Sequence, residues 1–201
     1  MLYLSQDIGG VMTTLVGIQT DEVVVLAADS QITEDNLRTI STATPKIVEV
    51  GKYLIGITGD TRPGDILSYN WKPPAFKGSD DPVQHMGRKV IPSIIKAFTD
   101  GGYDWANVDK KDGGFDYLIS FNGNLFHIAC DMSFIQNDSD LYAIGSGGQF
   151  ATGYLYACKQ RASGPWGLEL AEDFAEEAIL CATRFDVNTG LPVQIVTQDR
   201  I

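Results

Sequence analysis

The chain has 201 residues, 44% apolar and 20% charged, with 15 Lys and Arg against 26 Asp and Glu for a net charge of −11. Such a composition belongs to a folded globular chain, and the length predicts one domain. The acidic balance excludes a nucleic-acid binder, because a phosphate backbone is gripped by clustered Lys and Arg and here the first basic residue is Arg38. The longest apolar run, Val23 to Ala28, is far short of the ~20 residues needed to span a bilayer. Met1 to Met12 lacks the basic start of a secretory signal, so the expected compartment is the cytoplasm, away from membranes. Cys130, Cys158 and Cys181 form an odd set without a C-x-x-C pair, the pattern of reduced thiols rather than of a disulfide framework or zinc site.

In chain order, Thr13 to Ile18 and Val23 to Ala28 read as a hairpin of two buried strands. With the turn centred on Asp21, Asp29 faces Thr13 across the hairpin. Residues 30–44 are polar and turn-rich, and Lys46 to Val50 with Tyr53 to Thr58 form a second strand pair around Gly51-Lys52. Gly56 and Gly59 interrupt its second strand, as glycine does where a backbone or ligand comes close. A helix follows Pro63, and a longer one starts at Asp81-Pro82, with Asp as N-cap and Pro at N1. It presents Val83, Met86, Val90, Ile94 and Phe98 at helical spacing and stops at Gly101-Gly102, with His85 on its polar side. Asp116 to Ser120 and Leu125 to Cys130 flank Asn122-Gly123, a strong hairpin signal. A short strand at Leu141 to Ile144 leads through Gly145-Ser146-Gly147-Gly148 into an Ala/Tyr/Leu segment. A helix from Gly167 buries Leu170, Phe174, Ala178 and Cys181, and a strand from Leu191 to Thr197 closes the chain. Strands, two helices, strands, two helices and a strand is the order that covers two stacked sheets with helices.

Chemistry has few places to reside. His85 and His127 are the only histidines and neither has metal-ligand spacing around it, so no metal or cofactor is expected. The run Ala143 to Gly148 lacks the spacing of a hydrolase nucleophile elbow and no phosphate-binding G-x-x-x-x-G-K-[ST] loop exists; Ser146 reads simply as a helix cap. The informative place is Met12-Thr13-Thr14. If residues 1–12 are removed, or translation begins at Met12, Thr13 becomes N-terminal and holds a nucleophile and a base together. Its α-amine, with a reference pKa of ~7.7–8.0, can take the hydroxyl proton. A nearby ammonium would push that amine toward its neutral form; Lys46 is the candidate, with Asp29 to hold it.

These residues, together with Thr13 to Ile18, Val25 to Ser30, Lys46, Ile55-Gly56-Ile57-Thr58-Gly59-Asp60, Ala143 to Gly148 and Asp186-x-x-Thr189-Gly190, resemble the proteasome β-subunits and the related bacterial HslV peptidases. The resemblance runs in order over nearly the whole chain. It implies an α+β fold, a four-layer α-β-β-α sandwich of two stacked, mainly antiparallel sheets (the N-terminal-nucleophile hydrolase fold), with residues 13–201 as one peptidase domain and 1–12 as a propeptide or upstream extension. It implies a threonine endopeptidase that cuts unfolded polypeptides inside stacked homo-oligomeric rings, fed by an unfolding ATPase or gated by an α-type ring.

Carried over by position, the resemblance makes Thr13 the nucleophile, Lys46 the group tuning its amine and Asp29 the partner of Lys46. Gly56 N–H would be the oxyanion donor, Ser146, Asp186 and Thr189 would orient the amine, and Thr44, Leu54 and Thr58 would line the pocket for the side chain before the cut, a pocket suited to small or apolar residues. Many members carry glycine just before the threonine, where this chain has Met12 and places Gly9-Gly10 further back. A proline precedes Lys46, and one extra residue separates it from Asp29. Two other functions fit the same residues: a non-catalytic ring subunit that keeps residues 1–12, and an N-terminal-nucleophile amidase acting on a small amide.

Overall fold

The computed structural model describes residues 12–34, 37–40, 43–107, 114–162 and 164–200; most of the 1–12 segment, with Gly9-Gly10, lies outside them. Its first hairpin joins β1 (Thr14–Gln19) to β2 (Val23–Ala28), and every residue from Leu15 to Ile18 and from Val23 to Ala28 is buried. Alternation explains how both faces are used. Val16, Ile18, Val25 and Ala27 point to one side, while Leu15, Val24, Leu26 and Ala28 point to the other.

The register is one residue from the expected one. Leu15 pairs with Ala28 and Gln19 with Val24, so Thr14 rather than Thr13 lies opposite Asp29. The cause is the turn, in which Thr20 N–H donates to Val23 O at 2.8 Å. The Thr20 hydroxyl accepts from the N–H groups of Glu22 and Val23 and donates to Val23 O, enclosing Asp21-Glu22 as a two-residue loop. A threonine side chain supplies what an Asn-Gly turn would have signalled.

β3 (Gln31–Glu34) and β4 (Leu37–Ile40) form a separate two-stranded hairpin in what reads as a turn-rich stretch. β5 (Ile47–Val50) and β6 (Tyr53–Gly59) then open the second main sheet. Helix α1 (Thr61–Tyr69) is capped by the Asp60 carboxylate. α2 (Pro82–His85), capped by Asp81, continues through a π-helical turn (Met86–Val90) into α3 (Ile91–Asp100). β7 (Phe115–Phe121), β8 (Asn124–Ile128), β9 (Phe134–Ile135) and β10 (Leu141–Gly145) precede α4 (Gly148–Arg161) and α5 (Leu168–Ala182), and β11 (Gln194–Asp199) ends the chain.

A four-stranded sheet in the order β10-β1-β2-β11 and a five-stranded sheet in the order β5-β6-β7-β8-β9 are both antiparallel throughout. Three apolar layers account for the assembly. Leu15, Leu26, Leu54, Leu118, Leu125 and Ile144 fill the space between the sheets. Ile66, Leu67, Ile94, Phe98, Tyr117 and Phe126 join α1 and α3 to the outer face of the five-stranded sheet, and Val16, Ile18, Val25, Ala151, Ala175 and Ile179 join α4 and α5 to the other. The result is the four-layer α-β-β-α sandwich expected from the sequence. At Gly17 the sheets press close, since an added Cβ would lie 2.7 Å from Leu125 and 2.8 Å from Leu118.

Two helical faces differ from expectation. α5 turns Ala171, Ala175, Ala178, Ile179 and Ala182 inward, leaving Leu170 exposed and Cys181 half-buried. Small side chains let the helix axis approach the sheet, which outweighs the size of the leucines. His85 faces the core: its Nε2 lies 2.8 Å from Tyr53 Oη. The tyrosine hydroxyl donates to Pro74 O, so His85 Nε2–H donates to Tyr53. Burial first, then Lys89, lowers the His85 pKa from its ordinary 6.5, against an opposing pull from Asp80. The three cysteines are free and half-buried. Among the described residues no helix is long and apolar enough to cross a membrane.

Candidate active site

The site lies at the end of the four-stranded sheet where β1 begins and β2 ends. Asp29, 1% exposed, is the centre of a donor cluster. Its Oδ1 accepts from Thr14 N–H at 2.9 Å and from Lys46 Nζ at 2.7 Å; its Oδ2 accepts from the N–H groups of Gln31 and Gly190, both at 3.0 Å. A buried carboxylate is tolerated only when its lone pairs are satisfied, and here four donors come from four separate segments. Lys46 Nζ also donates to Gln31 O. Burial lowers the Lys46 pKa from 10.5, opposed chiefly by the charge and hydrogen bond of Asp29 and more weakly by Asp186.

Lys46 is positioned from behind by a residue that sequence reasoning missed. Gln194 on β11 accepts from the N–H groups of Lys46 (3.0 Å) and Ile47 (3.1 Å) and donates to Ile47 O (2.8 Å). One amide thus pins the start of β5 against the other sheet. Nothing local to Gln194 signals such a role, because its partners Lys46 and Ile47 are distant in sequence.

A second network holds the other side of Thr13. Ser146 N–H donates to Thr13 O at 2.9 Å. The Ser146 hydroxyl donates to Asp186 Oδ2 at 2.7 Å, and the Thr189 hydroxyl donates to the same oxygen at 2.6 Å. Thr14 Oγ1 lies 2.6 Å from Thr189 Oγ1, whose own proton is already committed, so Thr14 is the donor there. Ser146 is therefore no helix cap: Gly147 occupies the N-cap of α4, without a side-chain bond. The glycines on either side of Ser146 have steric causes. A Cβ on Gly145, whose φ is +87°, would fall 2.0 Å from Thr13 O, and one on Gly147 would fall 2.1 Å from Thr14 Oγ1.

An open cleft of about 550 Å³ adjoins Thr13 and is bordered by Thr44, Lys46, Ile57 and Gly59 among others. Thr13, Asp29, Lys46, Ser146, Asp186, Thr189 and Thr44 are thus brought to one region, and the Thr58 methyl lies near it, 3.5 Å from where a Cβ on Gly145 would stand, without bordering the cleft; Gly56 and Leu54 are not part of it. Gly56 is mid-strand, paired with Ile47 on one side and Leu118 on the other, and an added Cβ would meet the Leu15 side chain at 2.6 Å between the sheets. Ile57 N–H donates to Lys46 O, one residue before β5, so by strand alternation Gly56 N–H faces β7 and is committed to the ladder. Two residues beyond Ile57, Gly59 N–H points off the same edge where β5 no longer runs, and Gly59 itself borders the cleft. Its φ of +82° and the 2.2 Å separation of an added Cβ from Gly114 O make glycine obligatory. Leu54 is 1% exposed in the layer between the sheets, and the Thr58 hydroxyl donates to Asp116 O at 3.2 Å. Among the described residues no cluster of His, Cys, Asp or Glu is placed to hold a metal ion.

No protein-family model and no curated protein matches the chain. Solved structures do. BPH from Thiobacillus denitrificans matches with a TM-score of 0.72 at 23% identity, over 94% of this chain and 98% of that one, and a structure of the same protein in complex with epoxomicin matches at 0.69 and 22% over 94% and 99%. Eukaryotic HslV from Trypanosoma brucei gives 0.64 and 20% over 92% of this chain and 99% of that one. Anbu, an ancestral β-subunit from Yersinia bercovieri, gives 0.66 and 15% over 92% and 81%. The chain has the fold these proteins share, the N-terminal-nucleophile hydrolase fold that the sequence resemblance implied.

Proposed function

We propose that the chain is a threonine endopeptidase subunit in which Thr13, freed of residues 1–12, is the nucleophile. The observation that carries this reading is the Lys46–Asp29 ion pair buried beside Thr13, with the Ser146–Asp186–Thr189 network fixing the Thr13 backbone from the opposite side.

The Thr13 hydroxyl attacks the scissile carbonyl carbon while the Thr13 α-amine takes its proton. Both Nζ bonds of Lys46 are donated, so the side chain presents positive charge to the amine and offers it no acceptor. Like charge disfavours the protonated amine and keeps it basic. As the carbonyl oxygen becomes an alkoxide it is received by Gly59 N–H, in place of the Gly56 donor expected from sequence; one such donor is worth about 3–4 kcal/mol in the transition state. The amine returns the proton to the leaving nitrogen, and water then hydrolyses the Thr13 ester by the reverse sequence.

Exposed apolar side chains on the helical face and the Asp186 loop support an assembled state. Leu168, Leu170, Phe185, Val187 and Leu191 are 40–82% exposed, more than a monomer gains from showing to water. The resemblance together with this surface supports a homo-oligomeric ring enclosing the Thr13 clefts; supply of unfolded polypeptide by an ATPase or gating by a second ring, and a cytoplasmic setting, rest on the resemblance alone. The test joins intact mass with hydrolysis of unfolded protein: a mature chain beginning at Thr13, active as wild type and inactive as Thr13→Ala, is expected. Full-length mass alone would identify a non-catalytic subunit, and turnover of small amides with no peptide cleavage would identify an amidase.

A further inference from the structure

The cleft beside Thr13 has a chemical character of its own. One wall is a single face of α1: Thr61, Gly64, Asp65, Ser68 and Tyr69 border the cleft at the i, i+3, i+4, i+7, i+8 spacing of a helical stripe. Val48 of β5 and Ile57 of β6, which share the α1 side of their sheet, make the floor, and Glu49 borders the cleft from the other side of β5. Gly64 lets α1 sit close to that floor, since its Cβ would fall 2.9 Å from the Ile57 side chain.

The charges in the cleft do not balance. Among the described residues Lys46 is the only cation bordering it, and its ammonium is paired with Asp29 at 2.7 Å. Asp65 and Glu49 also border it, and neither has a hydrogen bond or ion pair among the described residues. An apolar floor beside an uncommitted carboxylate suits a side chain with a long methylene stem and a cationic head. The stem packs on Val48 and Ile57 while the ammonium or guanidinium reaches Asp65.

Resting on the peptidase reading, we propose that this cleft selects Lys or Arg as the residue preceding the cut bond, with Asp65 as the specificity-determining carboxylate and Glu49 adding to the negative field. This reverses the small or apolar preference expected from sequence, which placed Leu54 and Thr58 in the pocket.

The experiment has two arms. Matched peptides with Arg, Lys, Leu or Glu before the cut are assayed for cleavage, and binding of the same peptides to the Thr13→Ala chain is measured without catalysis. Basic peptides should be favoured about tenfold or more over leucine, the factor a charge-assisted hydrogen bond supplies. Asp65→Asn should bring the ratio to within about threefold, Asp65→Lys should favour the glutamate peptide, and raising salt should weaken the wild-type preference because Asp65 is exposed. Cleavage with leucine equal to or better than arginine, or a ratio unmoved by Asp65→Asn, would overturn the proposal while leaving the peptidase intact. Arginine-selective binding without any cleavage would support the proposal and overturn the peptidase. Neither binding nor cleavage would overturn both.

Discussion

The polar centre at the end of the four-stranded sheet and the cleft wall on the α1 side border the same nucleophile but are built on opposite terms. Around Asp29 and Asp186 the carboxylate oxygens are met by donors from β1, β3, Lys46, Ser146 and the Asp186 to Gly190 loop. On the cleft wall Asp65 and Glu49 are exposed and, among the described residues, uncommitted. The first arrangement fixes positions, because moving any member strands a buried charge. The second leaves groups free for a ligand, and changing them should alter what is bound rather than how the reaction runs.

The strongest way to break this contrast is at Asp29. In Asp29→Asn an amide nitrogen must face donors that now meet oxygen, and Lys46 loses its counter-charge. Breaking one partner of a buried pair costs about 3–5 kcal/mol, so a lowered urea midpoint and loss of peptide hydrolysis are both expected. Retention of wild-type stability would show that the donor cluster does not hold the site together. The two glycines of β6 give the next largest effect. Gly59→Ala forces the backbone off Gly114 O and carries the N–H away, with kcat expected to fall ~100-fold or more. Gly56→Ala meets the flexible end of the Leu15 side chain, so a loss of ~1–3 kcal/mol in stability with kcat of the folded protein retained is expected. The reverse ranking would restore Gly56 as the oxyanion donor. Leu54→Ala belongs with Gly56: as part of the layer between the sheets it should cost ~2–5 kcal/mol while leaving the Arg-to-Leu cleavage ratio unchanged.

The smallest expected effect lies far from the site. Neutral, buried His85 has a folded pKa below 6.5, so between that value and 6.5 the unfolded chain binds more protons than the folded one. Stability from this group is complete above pH 6.5 and declines as pH falls through the window. Urea midpoints at pH 7.5 and pH 5 should differ more in wild type than in His85→Phe, where Phe76 and Phe121 already supply aromatic neighbours. Equal pH slopes would remove His85 as a contributor.

Much of this was readable from sequence where the signal is local. Buried runs named β1 and β2, Asp81-Pro82 named the start of the long helix, and Asn122-Gly123 named the β7–β8 turn. Asp29, Lys46, Ser146 and Asp186 were legible as residue types recurring in a family's order. The misplacements have a common cause in geometry that spacing does not carry. A threonine-built turn shifted the first hairpin by one residue, and which glycine frees its N–H depends on where β5 ends, a fact of the neighbouring strand. Leu54 and Thr58 share a strand with Ile57, but Leu54 packs between the sheets and the Thr58 hydroxyl is tied to β7. Gln194 acts on partners remote in sequence and left no mark to read.

The central claim is that Thr13 is a free N-terminal nucleophile tuned by Lys46. Its most direct test is mass mapping of the folded protein after exposure to a peptide electrophile that reacts with a hydroxyl and its adjacent amine. The account predicts a chain that begins at Thr13 and carries one adduct on that residue, absent in Lys46→Ala. A folded, full-length chain that still carries residues 1–12 and takes up no adduct would contradict it.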